Sequence, residues 1–234
     1  MKLRYGLEII ENCVDCKLRQ GFCDLPSEPL GAFNALGHQH TYPGGSVLFM
    51  EGQQARGAFV LCSGRVKLST TSREGKILIL KIAAPGEVLG LSAVISSRSY
   101  EVTATTAAPC RVNFIHAEAL ISFLRRHGDA GLKAAQAVSK EYQDACLDIQ
   151  EILMAPSSAG KLAKLLLSWT NGHNGDQEVR VRTVLTHEEM AQMIGASRET
   201  VTRVLSDLKK KQLIRLEGST LVIRNRMGLE QLAS

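Results

Sequence analysis

Two groups of residues in this chain have types and spacings that could do chemistry. The first is Cys13, Cys16 and Cys23, three thiols at C-x2-C-x6-C. Soft thiolates select zinc or iron–sulfur clusters, and both centres ordinarily take four ligands. The surrounding segment, CVDCKLRQGFCDLPSEP, is poor in apolar residues, and Pro26 and Pro29 work against regular structure there. It reads as a metal loop lacking one ligand, to be supplied from elsewhere in the fold. The second group is Arg198, Glu199, Thr202 and Arg203, followed by Lys209, Lys210 and Lys211. Arg can donate two hydrogen bonds to guanine O6 and N7, and Glu can accept from cytosine N4. Lysines just beyond would meet phosphates.

A helix must present the second group on one side. Thr186 followed three residues later by Glu189 spells a capping box, which predicts a helix start. Met190, Ala191 and Ile194 give that helix an inner face, and Gly195 allows a sharp turn. Ser197 caps a second helix, in which Val201, Val204, Leu205 and Leu208 fall at i, i+3, i+4 and i+7. Its opposite face carries Arg198, Glu199, Thr202, Arg203 and Ser206. Two such helices around a Gly turn make a helix-turn-helix. Leu213–Leu216 and Thr220–Ile223 read as strands around Glu217-Gly218-Ser219, the wing of a winged helix.

Upstream, short apolar or alternating runs occur at Val47–Phe49, Ala58–Leu61, Val66–Leu68, Ile77–Ile82 and Val112–Ile115, with glycines between them. They predict a β-sandwich or jelly roll enclosing an inner space where a ligand could sit. A long helix should follow from about Gly131 to Ala155. In it Ala135, Val138, Tyr142, Ala145, Ile149 and Ile152 alternate steps of three and four. That a/d seam predicts a homodimer, with two reading helices one DNA turn apart on a near-palindromic double-stranded site. Pro156 then serves as a hinge, Ser157 or Ser158 caps a helix through Lys161–Trp169, and Val179–Arg182 reads as a small strand.

The 234 residues are 44% apolar and 22% charged, the composition of a globular protein with ample core. No run approaches the ~20 apolar residues of a membrane span, and MKLRYGLEII has no apolar signal core, so a cytoplasmic protein without a membrane partner is expected. Residues 157–234 hold 12 Lys/Arg against 8 Asp/Glu, which accounts for most of the net charge of +5. A basic C-terminal third fits a DNA-binding module. Nothing matches a G-x-S-x-G elbow, a P-loop or a dinucleotide fingerprint, so no enzyme is expected.

In this order the parts resemble the Crp/Fnr superfamily of bacterial transcription regulators. PGEVLGL (residues 85–91) in the roll and SRETVTR (residues 197–203) in the recognition helix carry the likeness. The resemblance implies an α+β fold with a cysteine-rich segment over 1–30 and a β-roll (jelly-roll, cyclic-nucleotide-binding-like) sensor domain over 31–128. A dimerisation helix over 129–155 and a winged helix-turn-helix DNA-binding domain over 156–234 complete it, with RNA polymerase as a further partner. The cysteines resemble those of the fumarate–nitrate reduction regulators, whose fourth cysteine lies in a segment equivalent to TTAAPCRVNFI. That likeness implies Cys13, Cys16, Cys23 and Cys110 as ligands of an oxygen-labile 4Fe–4S cluster controlling dimerisation and DNA binding. Six residues separate Cys16 from Cys23 where those regulators have five, which leaves zinc, a thiol switch or no cofactor as alternatives.

The cAMP receptor branch implies a different effector. Arg98-Ser99 matches the pair that holds the cyclic phosphate, making these the alternative ligand-binding residues for a cAMP-like nucleotide. The Glu that such relatives use to accept the ribose hydroxyl is Leu91 here. A buried, unpaired hydroxyl costs roughly 1–3 kcal/mol. His38, His40, His116 and His127 show no spacing that singles out a haem ligand.

Overall fold

Between residues 38 and 116 β-prone runs alternate with glycine turns, and the chain forms short strands accordingly. The computed structural model describes residues 21–155, 157–170, 178–182, 185–218 and 220–233; Cys13, Cys16 and Pro156 lie outside these. The strands are β1 (His38–Tyr42), β2 (Val47–Phe49), β3 (Gly57–Ser63), β4 (Val66–Thr71), β5 (Ile77–Ala83), β6 (Val88–Leu89), β7 (Thr103–Thr106) and β8 (Cys110–His116). They make two antiparallel sheets, ordered β1-β8-β3-β6 and β2-β7-β4-β5.

Strand β3 shows why its sequence is continuously apolar rather than alternating. Phe59 and Leu61 turn into the space between the sheets, among Phe49, Val66, Leu89, Tyr100, Ala104 and Val112. Ala58 and Val60 turn the other way, onto Phe22, Phe33, Leu120 and Phe123. A strand covered on both faces has no solvent side on which to place polar residues. The outer cover comes from a 3-10 turn (Gly21–Asp24), α1 (Ser27–Leu36), α2 (Leu91–Ser96), α3 (Ala117–Arg126) and the start of α4 (Gly128–Met154).

The expectation that Pro26 and Pro29 keep their segment irregular is corrected. Pro26 is the N-cap of α1 and Pro29 lies in its first turn. There the amide has no intrahelical acceptor to lose, so proline is tolerated.

The chain divides into two compact units, Met1–Gln143 and Asp144–Ser234, so the division falls inside α4. The second unit contains α5 (Ser158–Ser168), β9 (Val179–Arg182), α6 (His187–Ile194), α7 (Arg198–Lys210), β10 (Ile214–Glu217), β11 (Thr220–Ile223) and α8 (Arg226–Ala233). Its core joins Leu162 and Leu166 of α5, Met190 and Ile194 of α6, Val201, Leu205 and Leu208 of α7, and Leu229 of α8. The sheet order is β10-β11-β9, with β11 paired to both neighbours. Among the described residues no helix is long and apolar enough to cross a membrane.

Candidate nucleic-acid interface and effector residues

Helix α6 begins where the capping box requires. Thr186 Oγ1 accepts from the Glu189 amide at 3.2 Å, and Glu189 Oε2 accepts from the Thr186 amide at 2.8 Å. The helix stops at Gly195, whose φ of +66° is the left-handed conformation that glycine adopts without a steric penalty. The chain restarts at Ser197, whose hydroxyl accepts from the Thr200 amide at 3.2 Å. Val201, Leu205 and Leu208 are buried, which forces the intervening positions outward.

Arg198, Glu199, Thr202, Arg203 and Lys210 line one open depression on that outer side. Hydrogen bonds from its own amide and then from the Ser197 hydroxyl hold the Glu199 carboxyl below the usual glutamate range, with Arg198 adding to the pull. Glu199 is therefore an ionised acceptor between two guanidinium donors. Thr202 Oγ1 donates to the Arg198 carbonyl at 2.9 Å and lies 2.9 Å from His187 Nδ1 on α6. Lys209 and Lys210 close the last turn, exposed, with Lys209 bordering Arg215 of the wing and Arg224 just after it. The wing is braced by Arg215 to Glu217 at 2.5 Å and by Arg180 of β9 to the same carboxylate at 3.3 Å.

The four expected cluster ligands fare differently. Cys13 and Cys16 lie outside the described residues, and Cys23 is half-buried in the 3-10 turn. Cys110 is 0% exposed, its S–H shared between the carbonyls of Arg65 and Ala108, both at 3.1 Å. Burial pushes its thiol pKa up. Gly64 passes so close that an added Cβ would lie 2.6 Å from the sulfur. A cluster ligand must turn its sulfur to iron, whereas the enclosed Cys110 sulfur is turned to two backbone carbonyls. As folded it presents no open ligand position, and among the described residues no three His, Cys, Asp or Glu gather as a metal group. Cys62 is a buried core residue, the extra one in a β-bulge between Leu61 and Ser63.

Of the alternative pair, Arg98 is exposed after Ser97 at φ +55°, and half-buried Ser99 bridges to Gln54. Leu91 is 1% exposed and belongs to the core under the helices. Glu87 is committed to its own turn, accepting from the Ala84 amide at 3.1 Å and pairing with Lys81 at 2.5 Å. Tyr100, next to the pair, fills the space between the sheets. Its ring stacks on Phe49 at 4.0 Å and its hydroxyl donates to the Gly57 carbonyl at 2.7 Å.

On α4, Val138 packs against the core of its own roll, whereas Tyr142 and Ala145 are exposed. Ile149 and Ile152 are not among the residues whose side chains are described. Leu132, absent from the seam expected from sequence, is 59% exposed and continues the stripe through Ala135 to Tyr142. Its spacing of three residues from Ala135 is the signal that places it there. His187 is likewise absent from the site residues expected from sequence. Its partner Thr202 is fifteen positions away, and no local pattern joins them.

A sandwich-type roll followed by a long helix and a winged helix-turn-helix with a charged exposed face defines a two-part protein of the DNA-binding regulator class. Comparison with known proteins gives the same two parts. A cyclic nucleotide-binding domain matches residues 39–127, and a Crp-like helix-turn-helix domain matches residues 160–232. The chain belongs to the Crp/Fnr family of transcription regulators. It is 28% identical over 185 residues, 78% of this chain and 82% of the relative, to the CRP-like cAMP-activated global transcriptional regulator of Mycobacterium tuberculosis. It is 25% identical over 192 residues, 82% of this chain and 86% of the relative, to the cyclic AMP receptor protein of Thermus thermophilus. Its fold is similar to that of FixK2 from Bradyrhizobium japonicum, with a TM-score of 0.74 at 20% identity over 85% of this chain and 98% of that one.

Proposed function

We propose that this chain is a sequence-specific DNA-binding regulator that works as a homodimer on a near-palindromic site and acts on RNA polymerase. One observation carries the reading: a doubly capped helix-turn-helix buries one side of α7 and leaves Arg198, Glu199, Thr202 and Arg203 exposed together on the other. These supply the donor pairs and the acceptor that base edges in the major groove require. Lys209 and Lys210 supply sequence-independent phosphate contacts. The exposed stripe of Leu132, Ala135, Tyr142 and Ala145 on α4 supports pairing of two copies.

The test is selection of sites from random DNA, followed by affinity measurement. Arg203→Ala should cost ~1–3 kcal/mol and relax preference at one base pair. Lys210→Ala should weaken all sequences about equally and flatten the salt dependence. A protein that selects no sequence would refute the reading.

Two chemistries compete for the signal. The cyclic nucleotide-binding match and the relatives named for cAMP support a nucleotide-like anion, for which Arg98 and Ser99 would be the phosphate contacts. Leu91 offers such a ligand no acceptor, and Tyr100 occupies the interior. The spacing of Cys13, Cys16 and Cys23 and the position of Cys110 support an oxygen-labile 4Fe–4S cluster. For that, Cys110 would first have to leave both carbonyls and ionise. Protein purified without oxygen separates the two. Iron and sulfide in equal amounts, with a visible band that bleaches in air, would establish the cluster. A colourless protein whose operator affinity rises with cAMP would establish the nucleotide.

A further inference from the structure

We infer that Thr202 reads DNA through its methyl group, and that His187 is the positioning residue that makes it do so. The inference rests on the DNA-binding reading above and adds a specificity determinant to it. A threonine hydroxyl has one proton to give and two lone pairs with which to accept. Oγ1 of Thr202 lies 2.9 Å from the Arg198 carbonyl and 2.9 Å from His187 Nδ1. The carbonyl can only accept, so the hydroxyl proton goes there. His187 must then donate its Nδ1–H to Oγ1. If the hydroxyl proton went to the imidazole instead, two oxygens would face each other at 2.9 Å with no proton between them. Neutral Nδ1–H imidazole and imidazolium both make this contact, so it does not depend on the charge of the ring.

The consequence lies in what Thr202 has left. Its only donor is used, so it cannot donate to guanine O6 or N7, adenine N7 or thymine O4. What remains on this exposed side chain, between Arg198, Glu199 and Arg203, is one lone pair and the γ-methyl. A methyl group finds one apolar partner in the major groove, the C5-methyl of thymine. Threonine in a helix divides between two χ1 rotamers because its hydroxyl can bond the preceding turn in either. The imidazole on α6 selects one of them and so holds the methyl in a single place.

The test uses the full-length protein and the operator it selects from random DNA. Each thymine of one half-site is replaced in turn by deoxyuridine, which removes only the 5-methyl. One replacement should weaken binding roughly fourfold, the worth of one buried methyl. Thr202→Val should keep that penalty and Thr202→Ser should abolish it. His187→Ala should shrink the penalty with Thr202 present and leave it unchanged in Thr202→Val, where both γ positions are methyls and need no hydrogen bond to orient them. Because the readout is the ratio of thymine to deoxyuridine affinity, any direct pairing of His187 with a phosphate cancels. The inference is overturned if no thymine is sensitive, if Thr202→Ser keeps the penalty, or if His187→Ala lowers it equally in both backgrounds. A wild-type protein that selects no sequence overturns the DNA-binding reading itself, before any variant is made.

Discussion

Glu199 and Cys110 show opposite uses of the same variable, how far an acidic group is held from its ordinary ionisation. Glu199 is exposed and receives hydrogen bonds from its own amide and from Ser197, so its charged form is favoured. In a carboxyl NMR titration its midpoint should fall below that of an ordinary glutamate, and Ser197→Ala should move it upward. The sign follows from linkage: a lowered carboxyl contributes stability that is fully present above its unfolded value and is lost as pH falls from there through the folded value. Cys110 is enclosed, and burial favours its protonated form. Under native conditions iodoacetamide should label Cys23 well before Cys110, with Cys110 reacting only on unfolding; rapid native labelling of Cys110 would contradict its placement. The residue types on the exposed face of α7 were legible in the sequence because charge and helical spacing are local properties. The state of Cys110 was not. It depends on carbonyls at Arg65 and Ala108, one of them brought near only by strand pairing.

At the scale of elements, local signals succeeded where a terminus has its own chemistry. The capping box at Thr186, the cap at Ser197 and the cap at Ser157 each mark a helix start, and Val179–Arg182 is a strand as expected. Strands β1 and β7, with sequences HQHTY and TATT, were missed because neither has an apolar alternation to announce it. β1 is exposed along most of its length, so its burial pattern carries no period. Helix α1 was missed because proline was weighed without regard to its position in the turn. Two stability predictions belong here. Thr186→Ala removes one half of the capping box and should cost about 0.5–2 kcal/mol. Leu205→Ala empties a fully enclosed position and should cost about 2–5 kcal/mol. Chemical denaturation of the wild type and both variants would check the order, and a larger loss for the cap than for the core would contradict it.

For the molecule as a whole, the order of domains was legible in the sequence, while the division inside α4 was hidden in a helical pattern that continues across it. Tyr142 is 71% exposed on that helix. Tyr142→Asp should shift the protein to monomers in analytical ultracentrifugation and remove the advantage of a palindrome over a single half-site, leaving half-site preference unchanged. A variant that remains dimeric would take Tyr142 out of the seam. The three-stranded sheet has a further consequence. Helices α6 and α7 lie in the chain between β9 and β10, and both strands join through β11. The polypeptide entering the reading head and the polypeptide leaving it are stitched to the same strand, which closes the head into a loop. Pairing of both ends to one strand couples the opening of the loop's parts into one cooperative unit. The most protected backbone amides in α6, α7 and the three strands should therefore share one opening free energy in deuterium exchange, so that the helix-turn-helix is lost as one piece and not by fraying of α7.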